Sequence, residues 1–220
     1  MDRDLSKTEI AGLIDHTYLK ADTSPQRIAS LCREAEGHGF YAVCIPPAFV
    51  RQAALQLEES HVRIATVVGF PLGFSTPETK AFEAKQAVQE GANEIDMVIN
   101  IGMLQEGYLD YVKNEINLVI APLPEDIIVK VIIETALLTE QQKTLAAKLI
   151  MDTKAHFIKT STGYAPSGAT IEDVRLLKYI VNNSKQIKAS GGINTLEFAQ
   201  QLVRAGASRL GCSNSLKIVK

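Results

Sequence analysis

The strongest constraint on the fold is an alternation of character: eight short apolar runs, each followed by a stretch with helical spacing. The runs centre on Leu13-Ile14-Asp15, Ala42-Val43-Cys44-Ile45, Ile64-Ala65-Thr66-Val67-Val68 and Glu94-Ile95-Asp96-Met97-Val98-Ile99. They continue at Ile127-Ile128-Val129-Lys130-Val131-Ile132-Ile133, Phe157-Ile158-Lys159-Thr160, Ile187-Lys188-Ala189 and Arg209-Leu210-Gly211. Rich in β-branched residues and apolar on both faces, they read as parallel strands covered on both sides. Helix boundaries fall between them. Ser24-Pro25 and Thr76-Pro77 place a capping residue before a proline at the first helical position. Thr139 with Gln142, and Asn194 with Glu197, have capping-box spacing. Gly91 and Gly206 stand where helices should stop. After Thr76, the residues Ala81, Phe82, Ala84 and Val88 trace a helical apolar stripe.

Eight strand–helix units in 220 residues leave roughly 28 residues per unit, at the lower end for a (β/α)8 barrel. An open, doubly wound sheet satisfies the same pattern, because periodicity does not show closure. In both architectures ligands gather beyond the C-terminal ends of the strands. No linker or low-complexity stretch divides the chain, so one α/β domain over residues 1–220 is expected.

Composition removes several classes of function. The 23 basic residues are balanced by 25 acidic ones, so no surplus draws the chain to nucleic acid or anionic lipid. The segment MDRDLSKTEIAGL has no apolar signal core, and no run approaches the ~20 residues that span a bilayer. A cytoplasmic location is expected. The three cysteines, Cys32, Cys44 and Cys212, are odd in number and widely spaced, so neither a disulfide framework nor a zinc knuckle is indicated. Cys44 and Cys212 read as buried small hydrophobes. His16, His38, His61 and His156 show no metal-ligand spacing, and no G-x-G-x-x-G follows the first run. No metal or cofactor is therefore expected. The expected partners are small molecules and a second copy of the chain, since two-fold homodimers are the commonest soluble oligomers.

Three of the runs contain a lysine: Lys130, Lys159 and Lys188. Lysine is among the residues least often buried. A single strand lysine is best read as a stem snorkelling toward water. Three are harder to place that way, because helices cover the outer face of parallel strands. Inside a closed barrel they would converge. An ordinary lysine, with a pKa near ~10.4, is a neutral amine in only about one molecule in 2,500 at pH 7. A neighbouring ammonium and partial desolvation both disfavour the charged form. Lowering the pKa to ~7.5 would make roughly a quarter of the molecules nucleophilic, for about 4 kcal/mol of differential interaction. Asp96, between Ile95 and Met97, reads both as an ion-pair partner and as a general acid/base. Asp15 ends the first run in the same way.

Small residues follow the last strands: Ser190-Gly191-Gly192-Ile193-Asn194 after the seventh, Gly211-Cys212-Ser213-Asn214 after the eighth. They let backbone N–H groups approach an anion, and barrels recurrently bind phosphate there. Ser161-Thr162-Gly163, after the sixth strand, adds further donors.

The motifs LIDHTYLK, VVGFPLG, EIDMVINIG, KVIIET, FIKTSTG and IKASGGI occur in this order from Leu13 onward. Together they resemble those of the deoxyribose-phosphate aldolase family, over about Leu13 to Ser215. The resemblance implies a (β/α)8 TIM barrel and a metal-free class I aldolase. It implies reversible cleavage of 2-deoxy-D-ribose 5-phosphate to acetaldehyde and D-glyceraldehyde 3-phosphate. It makes Lys159 the Schiff-base lysine, Lys188 its pKa-lowering neighbour and Asp96 the proton-transfer residue. Asp15, Lys130 and Thr160 fall in the polar surroundings of the substrate, and Gly163, Gly191, Gly192, Ser213 and Asn214 match substrate-binding loops. Four features depart from the common pattern. Tyr164 stands where some members have lysine, Pro46-Pro47 replaces a single proline, and Asn214 replaces a second serine. The tail after the last strand is short.

Overall fold

The structure is a computed structural model that describes residues 5–220; residues 1–4 of the expected domain lie outside the described residues. Eight parallel strands form it: β1 (Ile14–Thr17), β2 (Ala42–Ile45), β3 (Arg63–Val68), β4 (Glu94–Val98), β5 (Ile128–Ile132), β6 (Phe157–Lys159), β7 (Gln186–Ser190) and β8 (Arg209–Cys212). They close into a barrel in sequence order. Closure rests on β8 pairing with β1, with Ile14 opposite Leu210 and Asp15 opposite Gly211. This excludes the open doubly wound sheet and gives the TIM-barrel architecture.

Helix α1 (Lys7–Ala11) precedes β1. Helices α2 (Pro25–His38), α3 (Val50–Gln56), α4 (Pro77–Gln89), α7 (Glu140–Met151), α8 (Ile171–Val181), α9 (Leu196–Ala205) and α10 (Ser215–Val219) each follow a strand, while β4 is followed by two, α5 (Ile101–Gln105) and α6 (Leu109–Ile120). The proline-led starts are observed: Ser24 and Thr76 accept bonds from the Arg27 and Thr79 backbones. Thr139 and Gln142 form a reciprocal capping box. The cap of α9 is Thr195, not Asn194. Asn194 instead donates to Gly192 O and accepts from Asn214. Among the described residues no helix is long and apolar enough to cross a membrane.

One face of each strand packs outward under the helices. Val43, Ile95, Val131, Ile158 and Leu210 join helix residues such as Leu31, Ile116 and Leu177 in the main core. The apolar cluster inside the barrel is small: Cys44, Ala65 and Val67, with Leu19 and Phe70 against it. The rest of the interior is shared between buried charges and uncharged side chains such as Phe157, opposite Lys130, and Ala42, opposite Asp15. This division is where burying strand lysines becomes possible, since the inner face offers them carboxylates.

Of the stripe expected on α4, Ala84 is buried and Ala81 and Val88 pack against the core, but Phe82 does not. Phe82 is 69% exposed, and the buried residues are Lys80, Ala84 and Ala87. Lys80 is driven inward by its partners. Its ammonium donates to Glu115 Oε1 at 2.6 Å, Val98 O at 2.7 Å and Gly73 O at 2.5 Å. It thus clamps the loop between β3 and α4 onto the C-terminal end of the barrel. Gly73 has φ +72°, and a Cβ there would stand 2.0 Å from Ile99 O, so the clamp closes only on glycine.

Candidate active site

Strand alternation and register decide which side chains meet. Asp96 on β4 lies opposite Lys130 on β5, and Lys159 on β6 lies opposite Lys188 on β7. All three strand lysines reach the Asp96 carboxylate. Lys130 Nζ donates to Oδ1 at 2.7 Å, while Lys159 Nζ and Lys188 Nζ both donate to Oδ2, each at 2.7 Å. The convergence expected of three strand lysines is therefore present, on a single acid. Lys188 also donates to Asp15 Oδ2. Asp15 Oδ1 accepts from Arg209 at 2.9 Å, and Arg209 donates to Glu94 Oε2 at 2.8 Å. Lys130 closes the circuit with Glu94 Oε2 at 2.6 Å.

The cluster thus holds three carboxylates, Asp15, Glu94 and Asp96, and four cationic side chains, Lys130, Lys159, Lys188 and Arg209. Charge balances when one cation is neutral, and the directions of the pKa shifts name which. Burial disfavours the Lys159 ammonium; Asp96 opposes this and Lys188 reinforces it, leaving Lys159 below the ordinary lysine value. Burial acts on Lys188 too, but Asp15 and Asp96 outweigh it and hold Lys188 charged. Lys130 is likewise raised despite burial, chiefly by Asp96. Burial would protonate Asp96, yet Lys130, Lys159 and Lys188 hold its carboxyl well below the usual range. Asp15 is held at about 2, as Lys188, Lys130 and Arg209 override its burial.

A cavity of about 320 Å³ opens at the C-terminal ends of the strands. Of the three strand lysines, Lys159 alone lines it, together with Thr17, Ser190 and Gly211. Lys130 and Lys188 have no exposed surface, and Asp15 and Asp96 have none either. The expected placement of Asp15 and Lys130 around a substrate is thus corrected: both lie below the cavity floor and act on it through Asp96 and Lys188. Thr160 is also fully buried; its hydroxyl accepts from Ser190 N at 3.1 Å and steadies β7.

Gly163, Gly191, Gly192 and Ser213 line the cavity as expected, while Asn214 does not and ties its loop to Asn194. Gly191 has φ +87°, and a Cβ on Gly168 would meet Gly191 O at 2.2 Å. Two glycines thereby let the loop after β6 lie directly on the loop after β7. Tyr164, unlike a lysine, spends its polar end within the protein. Its hydroxyl donates to Leu19 O at 2.7 Å, and its ring meets Phe70 edge-on at 5.4 Å between centroids.

Four further residues were not singled out from the sequence. Glu94 sits two residues before Asp96, on the same face of β4, a signal that period-two alternation carries. Arg209 opens the last run; its guanidinium stacks 3.5 Å from the Tyr41 ring centroid. Glu134 adopts a left-handed backbone, φ 54°, and its carboxylate accepts from the Thr162 hydroxyl and backbone. Lys20 lines the mouth of the cavity. Neither Glu134 nor Lys20 carries a local signal of its role, which depends on how loops meet. The three thiols are buried and free, and burial pushes each upward, Cys32 to about 11. Among the described residues no group of three or more His, Cys, Asp or Glu side chains is placed to hold a metal ion.

A closed barrel with a lysine–carboxylate cluster opening at its C-terminal mouth is the architecture of a barrel lyase, and sequence comparison places the chain among them. The DeoC/LacD family aldolase model matches residues 10–218, and the chain belongs to this family. It is an aldolase. A deoxyribose-phosphate aldolase of Clostridium kluyveri is 50% identical over 215 residues, covering 98% of this chain and 99% of the relative. The solved aldolase QR15 superposes with a TM-score of 0.92 at 37% identity, over 96% of this chain and 94% of that one. A tetrameric deoxyribose phosphate aldolase from Aeropyrum pernix gives 0.88 at 29% identity, over 97% and 91%.

The buried carboxylates predict acid sensitivity of a definite sign. Asp15 has a folded pKa of about 2, below its ordinary 3.8. A depressed carboxyl contributes stability above its unfolded value and loses it as pH falls through the folded value. The urea midpoint is therefore expected to drop between about pH 4 and about pH 2, with a shallower drop in Asp15→Asn. An equal slope in both proteins contradicts the assignment.

Proposed function

We propose that this aldolase reversibly cleaves 2-deoxy-D-ribose 5-phosphate to acetaldehyde and D-glyceraldehyde 3-phosphate, as the names of its relatives indicate, with Lys159 as the Schiff-base nucleophile. The observation that carries the reading is the position of Lys159 at the cavity floor, one hydrogen bond from Asp96, whose same oxygen accepts from Lys188. The neutral Lys159 amine attacks C1 of the open-chain aldehyde. Asp96, exchanging protons with Lys188, assists loss of water from the carbinolamine to give an iminium. The C3 hydroxyl gives its proton to Asp96 through a water molecule, the C2–C3 bond breaks, and its electron pair passes into the iminium, leaving an enamine. Glyceraldehyde 3-phosphate departs. The enamine is protonated at C2, and hydrolysis releases acetaldehyde and the free amine. Lys188, held charged by two carboxylates, keeps the nearby amine neutral between turnovers. No cofactor enters the scheme.

Substrate phosphate is assigned to the Gly163, Gly191, Gly192 and Ser213 loops, with Lys20 as the cation that Tyr164 does not supply. Binding energy from the phosphate is remote from the bond that breaks and holds the sugar over Lys159. Asn214, Thr160, Asp15 and Lys130 support this site from behind. The enzyme is proposed to work in the cytoplasm as a single domain, residues 1–220, and as a two-fold homodimer.

Three measurements bear on these assignments. Borohydride reduction in the presence of acetaldehyde is expected to fix a two-carbon adduct on Lys159, and Lys159→Leu to lose activity by at least ~10³-fold. Adduct on another peptide would overturn the nucleophile. For Lys20→Met, KM is expected to rise about tenfold for the phosphorylated sugar, roughly the loss of one charge-assisted contact, and to stay level for unphosphorylated 2-deoxyribose. Equal effects on both sugars would remove Lys20 from the phosphate site. Light scattering is expected to give twice the 24.0 kDa chain mass; four times that mass would match the Aeropyrum pernix relative instead.

A further inference from the structure

We propose that Glu94 and Arg209, on the barrel floor, are positioning residues that set the charge of Lys159 from a distance: together with Lys130 and Asp15 they fix the interior charge so that the one uncompensated proton is the one Lys159 gives up. The inference rests on Lys159 being the nucleophile.

The geometry is a closed loop of alternating charge. Glu94 Oε2 accepts from Lys130 at 2.6 Å and from Arg209 at 2.8 Å. Arg209 donates to Asp15, and Lys130 lies 3.7 Å from the Asp15 oxygen that accepts from Lys188. Neither Glu94 nor Arg209 touches the cavity. Each is one residue removed from Asp96 or Lys188 through a partner that bonds both. Glu94 is fully buried and Arg209 is 5% exposed, so water screens little of their field.

The charged and titratable groups around Lys159 come from every strand but its own. They are Asp15 on β1, Cys44 on β2, Arg63 on β3, Asp96 and Glu94 on β4, Lys130 on β5, Lys188 on β7 and Arg209 on β8, while His156, just before β6, interacts electrostatically with Glu94 and Lys130 and is held below the ordinary imidazole value chiefly by burial. Arg63 Nε faces Glu94 Oε1 at 3.5 Å with both atoms buried, while 39% of the Arg63 side chain remains at the surface. Cys44 stays a thiol because burial raises it. Glu134 is buried beside Thr162, and Lys20 lines the cavity. Apart from Arg63, which reaches the surface, the barrel interior holds three acids, Asp15, Glu94 and Asp96, and three cations, Lys130, Lys188 and Arg209, which balance without Lys159. Removing one acid leaves a surplus of positive charge, which Lys159 relieves by deprotonating more readily. Glu94→Gln also frees Lys130 to bind Asp96 alone, withdrawing that carboxylate from Lys159. Removing the guanidinium has the reverse effect: Asp15 and Glu94 are then undercompensated and Lys159 retains its proton.

The test is the pH dependence of imine formation with acetaldehyde, trapped by borohydride and located by peptide mass spectrometry. Glu94→Gln is expected to move the acid limb to lower pH and Arg209→Met to higher pH, each by about one unit or tenfold in neutral amine. Arg209→Lys, which keeps the charge, is expected to retain the wild-type limb. A purely structural role lowers the amount of adduct in both variants without moving the two limbs in opposite directions. Opposed shifts support the proposal; shifts of one sign, or none, overturn it while the adduct remains on Lys159. Should Glu94→Gln not fold, the Arg209→Met and Arg209→Lys pair decides: an upward shift in the first alone supports the proposal, and equal limbs overturn it. Adduct on another lysine in the wild-type protein overturns the nucleophile itself, a different signal.

Discussion

The carboxylate of Asp96 is the point on which the interior depends. Three lysines donate to its two oxygens, and each comes from a different strand. Taking one ammonium out of water costs several kcal/mol, and leaving one partner of a buried pair alone is strongly destabilising, by about 3–5 kcal/mol. No strand in this set can therefore shift register without stranding a charge. The pairing of β8 with β1 is part of the same constraint, because it carries Arg209 to Asp15. An open sheet would leave these two at opposite edges. The charge network and barrel closure are thus one requirement seen from two sides.

Depth within the barrel separates the three lysines. Lys130 pairs across the strand with Phe157, and Lys159 pairs with Ile132, so Lys159 stands two residues nearer the mouth. It meets the cavity with 3% of its surface, enough to reach a ligand but too little to be solvated as an ordinary ammonium. Lys188 is level with it but turned toward Asp15. One oxygen of Asp96 then connects a lysine whose charged form burial and Lys188 disfavour with one whose charged form Asp15 and Asp96 favour, an arrangement that lets a proton pass between them without a new charge appearing in the interior.

The fold was legible in the sequence because it follows from periodicity: the strand runs, proline-led helix starts and late glycine loops are local properties. Closure was not local. It requires a register between residues nearly two hundred positions apart, which no window of sequence contains. The lysines and Asp96 were legible because charge inside an apolar strand is anomalous. Glu94 and Arg209 escaped because each stands at the start of its strand, where charge is ordinary. Lys80 escaped for another reason: α4 turns its apolar Phe82 outward and a lysine inward, and only the carbonyls of Gly73 and Val98 with Glu115 explain that choice. The cap at Thr195 rather than Asn194 shows the same limit, since both residues are competent caps and the neighbouring loop decides between them.

The mouth shows how one substitution redistributes work. A lysine after Ser161-Thr162-Gly163 would bring charge to the rim, but Tyr164 brings an aromatic ring. Its hydroxyl is spent on Leu19 O and its edge on Phe70, so it links the loops after β1, β3 and β6. The residue after Leu19 is Lys20, which the same contact holds at the cavity edge. Lys20 thus comes from the loop after β1, a strand that pairs with β8, and it lines the same cavity as Ser213 in the loop after β8. Lys20 is exposed at the rim whereas Lys188 is fully buried, so it is not one of the interior cations that surround Lys159. On the proposed assignment the phosphate charge falls to the loops and the proton chemistry to the barrel interior, which keeps the two electrostatic tasks from competing, as a single crowded set of lysines could not.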